Sequence, residues 1–412
     1  MDRPAKRIYY GWWIAVAAFL NLFFAVGFVF YGFPVFYPSL VKSLGFTRAE
    51  TSQGFLLGFV LIGLPFGFLA GALIDRIGPR RVILSGVGFV GASLILMGFI
   101  SRLWQYDVLC VTEVVGYVLA GPIPNQVLVT NWFQAKRGQA MGYAYLGLGI
   151  GGAAAPLAIN SLIGHFGWRT ALEAVGAANL VVLFPVGQWV TRSHPAEMGL
   201  LPDGLAKALA PATSRSIGHG EIRDALRTAN FWLIIVGCTL VIGAIGAVIQ
   251  HLILFLEDEG YASTRASGML TALLLSSLAG RVLVGYSADR FQKKNVMALF
   301  YLVLGGSVPL LYWAHQPLAT WAFALAFGFA MGADYMLIPL VAAECFGLAS
   351  LGKLLALIIM GYSLGQWLAP WLAGRIFDSY HSYNLAWGIM SGAGVLGALA
   401  IYCISPPGAA RS

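Results

Sequence analysis

The sequence predicts an all-α membrane protein with twelve transmembrane helices in two pseudo-symmetric six-helix bundles. The first observation is composition: of 412 residues, 59% are hydrophobic and 10% are charged, whereas soluble domains contain roughly 25% charged residues. The second is length, because a helix needs about 20 apolar residues to cross a bilayer and twelve continuous runs of this kind can be drawn. The third is a motif that recurs in both halves. Together they exclude a water-soluble enzyme.

The runs form two groups of six, separated by the longest polar stretch of the chain. They lie near residues 11–37, 51–73, 82–100, 105–131, 139–163 and 171–191, and near 229–256, 264–287, 295–314, 318–345, 353–374 and 384–405. The first run is too long for a cleaved signal peptide, so we treat it as the first span. The division predicts an N-terminal six-helix bundle at 1–191, a cytoplasmic linker loop at 192–228 and a C-terminal six-helix bundle at 229–412.

The basic residues predict the orientation of these spans. Lys and Arg are retained on the cytoplasmic side of a membrane, and most of the 25 in this chain fall in inner segments when both termini are cytoplasmic. The net charge of +8 is therefore explained by topology. Because the basic residues are dispersed, nucleic acid is not an expected partner. We expect a multi-pass protein of the cell inner membrane, in contact with membrane lipid, and a monomer by analogy with the fold.

A glycine-rich, charged motif lies between the second and third spans. It reads Gly71-Ala-Leu-Ile-Asp75-Arg76-Ile-Gly78-Pro-Arg80-Arg81 and recurs in weaker form 214 positions later, with Gly285, Asp289 and Arg290 as its counterparts. The motif resembles the loop signature of the major facilitator superfamily. The resemblance implies an alternating-access carrier with its ligand site between the two halves. The expected gate residues are Gly71, Asp75, Arg76, Gly78, Arg80, Gly285, Asp289 and Arg290; a plain basic loop that fixes topology is the alternative.

Three further stretches resemble one branch of that superfamily. The segment from Trp132 to Gly151 is similar to the signature of the monocarboxylate transporters at its aromatic pair, basic pair and glycines. Residues 10–13 resemble a truncated form of the first signature of that family, and residues 194–204 resemble a loop of the related bacterial oxalate:formate antiporters. The resemblance implies a bacterial homologue of the monocarboxylate (lactate) transporters. Small residues at this spacing also favour close helix packing.

Arg281 is the one Lys or Arg in the interior of a predicted span rather than at its end. A charged guanidinium at membrane depth is unfavourable unless it faces a cavity or a partner, and its planar fork matches a carboxylate. The resemblance implies the same role, since the family keeps an Arg in the eighth span as the counter-charge of the anion. Asp334 in the tenth span should lie at a similar depth and is the expected proton-binding partner, because Ser277 occupies the usual position of the carboxylate in the family. A structural salt bridge is the alternative.

Polar side chains on the spans that should line the cavity complete the predicted site. The expected substrate-binding residues are Arg281, Tyr335, Asn125, Tyr117, Gln250, Tyr31, Tyr145 and Tyr362, and the expected proton-coupling residues are Asp334, His251 and Glu113. Each could hydrogen-bond a small anion or a proton, although an aromatic residue in a span often serves packing. For His251, a satisfied core imidazole and a proton site remain equal alternatives.

The sequence therefore predicts proton-coupled symport of a small monocarboxylate such as L-lactate or pyruvate. Exchange of organic anions without protons, export of a hydrophobic drug and a membrane-embedded sensor are alternatives. An enzyme is not expected, because no nucleotide-binding, zinc-protease or serine-hydrolase motif is present. The four cysteines lie in apolar runs without the spacing of a metal site, so neither a metal nor a cofactor is expected.

Overall fold

The computed structural model describes residues 9–63, 73–74, 76–134, 136–204, 225–288, 290–332, 334–346 and 351–405. These residues form helices joined by short turns and loops. The N-terminal helices are α1 (Gly11–Leu44), α2 (Arg48–Gly58), α3 (Pro79–Met97), α4 (Leu103–Ala120), α5 (Pro122–Trp132) and α6 (Arg137–Pro185). The C-terminal helices are α7 (Ala229–Asp258), α8 (Ser263–Ala288), α9 (Lys293–Ser307), α10 (Pro317–Met331), α11 (Asp334–Phe346), α12 (Leu351–Tyr380) and α13 (Asn384–Tyr402).

The described helices lie on the predicted runs, with three differences in how the runs are divided; residues 64–72 of the second run lie outside the described part of the chain. The fifth and sixth runs form the single stretch α6, whose only break is Gly167 in a left-handed conformation with φ 79°. The fourth run is divided into α4 and α5, and the tenth into α10 and α11. Within the described residues, seven helical stretches are long and apolar enough to cross a bilayer.

The helices separate into two compact units. Unit 1 comprises Met1–Phe33 and Leu57–Pro211, and unit 2 comprises Pro34–Leu56 and Ala212–Ser412. The segment 34–56 thus packs with the C-terminal helices, whereas the sequence assigned it to the N-terminal bundle. The second boundary between the units, between residues 211 and 212, lies within the predicted linker loop at 192–228.

Glycines set the closest helix contacts of unit 1. A Cβ atom on Gly147 would lie 2.2 Å from the carbonyl oxygen of Phe19, and one on Gly151 would lie 2.3 Å from that of Phe23. Helix α6 therefore packs directly against the backbone of α1. These glycines belong to the stretch that resembles the monocarboxylate signature, and their role in this unit is close packing.

The equivalent glycines do the same in unit 2. A Cβ atom on Gly365 would lie 2.3 Å from the carbonyl oxygen of Thr239, and one on Gly361 would lie 3.0 Å from the Ile235 side chain. Helix α12 thus approaches α7 as α6 approaches α1. Because Gly361 and Gly365 stand 214 positions after Gly147 and Gly151, the sequence repeat corresponds to a repeated packing contact.

A buried charge cluster fastens the segment 34–56 inside unit 2. The Arg48 guanidinium donates hydrogen bonds to Asp258 at 2.6 Å and to the Tyr383 hydroxyl at 3.0 Å, and lies 3.7 Å from the centre of the Phe377 ring. The Asp378 carboxylate accepts the backbone N–H groups of Arg48 and Ala49, both at 3.0 Å. It thereby caps α2, whose first N–H groups have no partner within the helix.

Burial lowers the pKa of Arg48, but its hydrogen bond to Asp258 and the nearby Tyr383 raise it, and the resulting pKa lies above the ordinary value. Burial also raises the pKa of the Tyr383 phenol. The guanidinium therefore stays charged and the phenol stays protonated at neutral pH. Arg48 lies between the first two predicted runs, and the sequence did not predict this cluster.

Candidate functional site

Arg281 lies on α8 of unit 2 and is half-buried. Among the side chains that the structure describes, none forms an ion pair or hydrogen bond with its guanidinium. In the same unit, Arg48 is ion-paired with Asp258 and hydrogen-bonded to Tyr383. Because no described side chain engages the Arg281 guanidinium, it can offer an anion two parallel hydrogen bonds.

The contact between α8 and α10 fixes the backbone around Arg281. A Cβ atom on Gly332 would lie 2.2 Å from the carbonyl oxygen of Ser277 and 2.8 Å from the backbone nitrogen of Arg281. Gly328, one turn before Gly332, and Gly280, the residue before Arg281, make equally close contacts across the same two helices. Since α11 begins at Asp334, two residues after Gly332, Arg281 and Asp334 belong to neighbouring backbone segments. Their similar depth in the membrane stays a prediction.

The structure is informative about some of the predicted partners of Arg281. Ser277 is buried and its hydroxyl donates to the carbonyl oxygen of Leu274 at 2.6 Å, so it is occupied within its own helix. Tyr362 on α12 is 7% exposed. The side chains of Asp334 and Tyr335 lie outside the described part of the chain, so their roles stay predictions.

Helix α7 carries two more predicted residues, and both are engaged in unit 2. The Tyr37 hydroxyl donates to Oε1 of Gln250 at 2.7 Å, and both side chains are buried. His251 is fully buried between Pro370 and Tyr383. Because a carbonyl oxygen can only accept, Nε2 of His251 donates to Pro370 at 2.8 Å, and Nδ1 accepts from the Tyr383 hydroxyl at 3.0 Å. Both ring nitrogens of His251 are hydrogen-bonded, which is the arrangement of a satisfied core imidazole, one of its two alternatives.

In unit 1, Glu113 is the buried carboxyl that the sequence singled out. It is 4% exposed, and its Oε2 atom has no hydrogen-bond partner in the described residues. A buried carboxylate without a partner is strongly unfavourable. Tyr117 lies one turn away on α4, and its ring is 5.9 Å from that of Phe30, which in turn is 5.0 Å from Tyr31. Glu113 therefore adjoins an aromatic group that includes two predicted binding residues.

Asn125 lies at the break between α4 and α5. Asn21, which the sequence did not predict as a site residue, lies at the same break. The carbonyl oxygen of Ala120 cannot accept a helical hydrogen bond from residue 124, because that residue is Pro124 and has no N–H. Instead it accepts Nδ2 of Asn125 at 2.8 Å and Nδ2 of Asn21 at 2.6 Å. The two Oδ1 atoms remain buried acceptors without a partner in the described residues. The Gly121-Pro122 pair was the signal of this break.

The remaining predicted binding residue, Tyr145 on α6, accepts a hydrogen bond from the side chain of Gln126. Tyr145 is half-buried and Gln126 is exposed. Tyr145 therefore belongs to unit 1 and contacts α5. No group of three or more His, Cys, Asp or Glu side chains that could hold a metal ion occurs among the described residues.

The gate motif is partly described. Gly71, Asp75 and Asp289 lie outside the described residues. Gly285 is part of α8. The side chains of Arg76 and Arg290 are exposed. Gly78 has a φ of 83°, which favours glycine, and precedes the first residue of α3. Nε of Arg80 donates to the carbonyl oxygen of Gly187 at 3.1 Å. Arg80 therefore ties the loop before α3 to the end of the sixth span.

Comparisons with known proteins are consistent with these features. A family model described as the Major Facilitator Superfamily matches residues 19–333 and 260–412. Monocarboxylate transporter 13 of Bos taurus is 27% identical over 413 residues, which cover 97% of this chain and 91% of the relative. Membrane sensor protein UhpC of Escherichia coli (strain K12) is 24% identical over 363 residues, covering 84% of this chain and 81% of the relative. A solved structure of a variant of the nucleoside transporter NupG has a TM-score of 0.76 at 12% identity, and the match covers 95% of this chain and 99% of that one.

Proposed function

The chain belongs to the major facilitator superfamily and is a multi-pass membrane transporter with the all-α fold of that family, and we propose that it carries a small monocarboxylate, such as L-lactate or pyruvate, together with a proton by alternating access. In this proposal it acts as a monomer in the cell inner membrane. Its N- and C-terminal bundles, 1–191 and 229–412, move relative to each other around the bound substrate.

The observation that carries the proposal is the half-buried Arg281 without a described partner. Its guanidinium is permanently charged and offers two parallel N–H donors to a carboxylate. The tight contact of α8 with Gly332 holds its backbone in place. One fixed positive charge suits one carboxylate, and the relatives named monocarboxylate transporter support a substrate of this class.

The positive charge of Arg281 also gives a physical reason for transporting a proton with the anion. In the empty site, a deprotonated Asp334 would neutralise Arg281. When the substrate carboxylate binds Arg281, a proton on Asp334 keeps the loaded site at the same net charge. Because an uncompensated charge in a low-dielectric barrier costs several kcal/mol, only the electroneutral site changes its orientation readily.

Uptake of labelled lactate into proteoliposomes tests the anion site. With Arg281→Ala we expect uptake to fall about tenfold or more, since two charge-assisted hydrogen bonds are lost. Arg281→Lys should recover only part of it, because an ammonium lacks the planar fork. The matched control is Arg265→Ala, which removes an exposed Arg from the outer end of the same helix. Undiminished uptake by Arg281→Ala would overturn the assignment.

Exchange of organic anions without protons is the second candidate, and the engaged Ser277 at the usual carboxylate position favours it. The two candidates differ in the external pH during uptake. Symport makes the medium more alkaline as lactate enters, whereas exchange leaves the pH unchanged and requires an anion inside the vesicle. A pH electrode read during uptake by the wild-type protein distinguishes them.

A further inference from the structure

A cavity of about 520 Å³ opens in unit 1 where α3 begins, and Arg281 is not among its lining residues. Basic and polar side chains line much of it: Arg76, Arg80, Arg81, Asn131, Ser193 and His194. The residues come from the loop before α3, from α5 and from the segment after the sixth span. With both termini on the cytoplasmic side, this cavity faces the cytoplasm.

The cavity carries an excess of positive charge. Arg76 and Arg81 are exposed, and no carboxylate in the described residues pairs with either of them. Glu197 is the carboxylate among the lining residues, and its Oε1 accepts the backbone N–H of His194 at 3.1 Å. Two guanidinium groups are therefore available to an anion at the entrance, while Arg80 is held by backbone carbonyls below them.

The position of the cavity relative to the bilayer follows from its neighbours. Arg80 donates to the carbonyl oxygens of Gly187 and Gln188, and the next residue, Trp189, is 72% exposed. Exposed Trp residues at the end of a span lie at the level of the lipid headgroups. Apolar side chains also line the cavity, among them Ile77, which is 40% exposed. A cavity at headgroup level with both basic and apolar walls matches an amphipathic anion.

We propose that this cavity binds the phosphate headgroup of an anionic lipid of the inner leaflet. Arg76 and Arg81 bind the phosphate oxygens, because a guanidinium matches phosphate with two parallel N–H donors. The glycerol and the first part of the acyl chains lie against Ile77. The bound lipid thereby joins the loop before α3 to the end of the sixth span.

Native mass spectrometry of the full chain in detergent tests the proposal. Phosphatidylglycerol or phosphatidylcholine is added in equal amounts, and the fraction of protein with bound lipid is measured. We expect Arg76→Gln/Arg81→Gln to bind phosphatidylglycerol about tenfold more weakly than the wild type, and phosphatidylcholine equally. The matched control is Lys136→Gln/Arg227→Gln, which removes two exposed basic residues that do not line the cavity.

Three results would overturn the proposal. If the control loses phosphatidylglycerol as strongly as the cavity variant, the attraction is a general effect of positive charge. If neither variant loses it, Arg76 and Arg81 do not hold the lipid. If inorganic phosphate at millimolar concentration displaces phosphatidylglycerol, the cavity is a site for a soluble phosphate anion. The midpoint of thermal unfolding of Arg76→Gln/Arg81→Gln should equal that of the wild type, so that any loss of lipid is not caused by misfolding.

Discussion

Arg48 and Arg281 illustrate how the surroundings of an arginine decide its role. Arg48 is 9% exposed and bonded to Asp258 and Tyr383, whereas Arg281 has no described partner. A buried guanidinium that is bonded to a carboxylate and a phenol, as Arg48 is, stabilises the fold. A guanidinium without partners can bind a ligand. Arg48 therefore supports a prediction about stability, and Arg281 a prediction about substrate binding.

The first prediction concerns stability at Arg48. We expect Arg48→Gln to lower the free energy of unfolding by about 2 kcal/mol, because a hydrogen-bonded charge inside a cluster contributes roughly 1.5–3 kcal/mol. Thermal unfolding in detergent measures the change. Lys42→Gln is the matched control: Lys42 pairs with Glu257 in the same segment, but its side chain is 73% exposed, and such pairs contribute about 0–1 kcal/mol. Equal midpoints for both variants would contradict the assignment.

Sequence reasoning found one of these arginines and missed the other for a physical reason. Arg281 is conspicuous because its neighbours in sequence are apolar over the length of a span. Arg48 lies in a short polar loop, and its partners Asp258 and Tyr383 are 210 and 335 positions away. No local pattern reveals such a pair, since it is the packing of segment 34–56 in unit 2 that brings them together.

At the scale of helices, glycines determine how closely neighbours approach. Gly332 lets α10 contact the backbone of α8 next to Arg281, and Gly147 and Gly365 serve the contacts of α6 with α1 and of α12 with α7. The sequence predicted this packing role from spacing alone. The break between α4 and α5 was not predicted, because the fourth run was treated as one helix although Pro124 removes the N–H that Ala120 requires.

The second prediction tests the contact beside Arg281. Gly332→Ala would place a Cβ atom 2.2 Å from the Ser277 carbonyl oxygen, so the helices must separate and the backbone of Arg281 must shift. We expect lactate uptake to fall about tenfold with folding retained, since misplacement of a binding group by about 1 Å is sufficient for a large loss. Gly268→Ala on α8, where a Cβ atom meets no neighbour, should leave uptake unchanged. Equal uptake by the two variants would show that the spacing of α8 and α10 is unimportant.

At the scale of the whole molecule, the low content of charge makes each charged residue informative. Most basic residues define the topology, and the all-α membrane fold with its repeat was predicted from them and from the apolar runs. The sequence did not predict which segments belong to each compact unit, because the placement of 34–56 in unit 2 depends on contacts between residues far apart in the chain. Of the predicted site residues, Arg281 and the Oε2 atom of Glu113 have no partner among the described residues, while His251 and Gln250 are hydrogen-bonded. Their roles in transport stay predictions.

The last prediction concerns the charge balance of the transport cycle. If Asp334 takes the proton, Asp334→Asn mimics its protonated form, so the variant should still exchange internal for external lactate. It should no longer accumulate lactate when an inward proton gradient is imposed, because the site cannot lose its proton again. Both rates are measured in the same proteoliposomes. Glu344→Gln is the control, since Glu344 lies on the same helix α11 and pairs with Lys293. Glu113→Gln provides the decisive comparison: if it abolishes accumulation while Asp334→Asn preserves it, the buried Glu113 of unit 1 carries the proton and Asp334 does not.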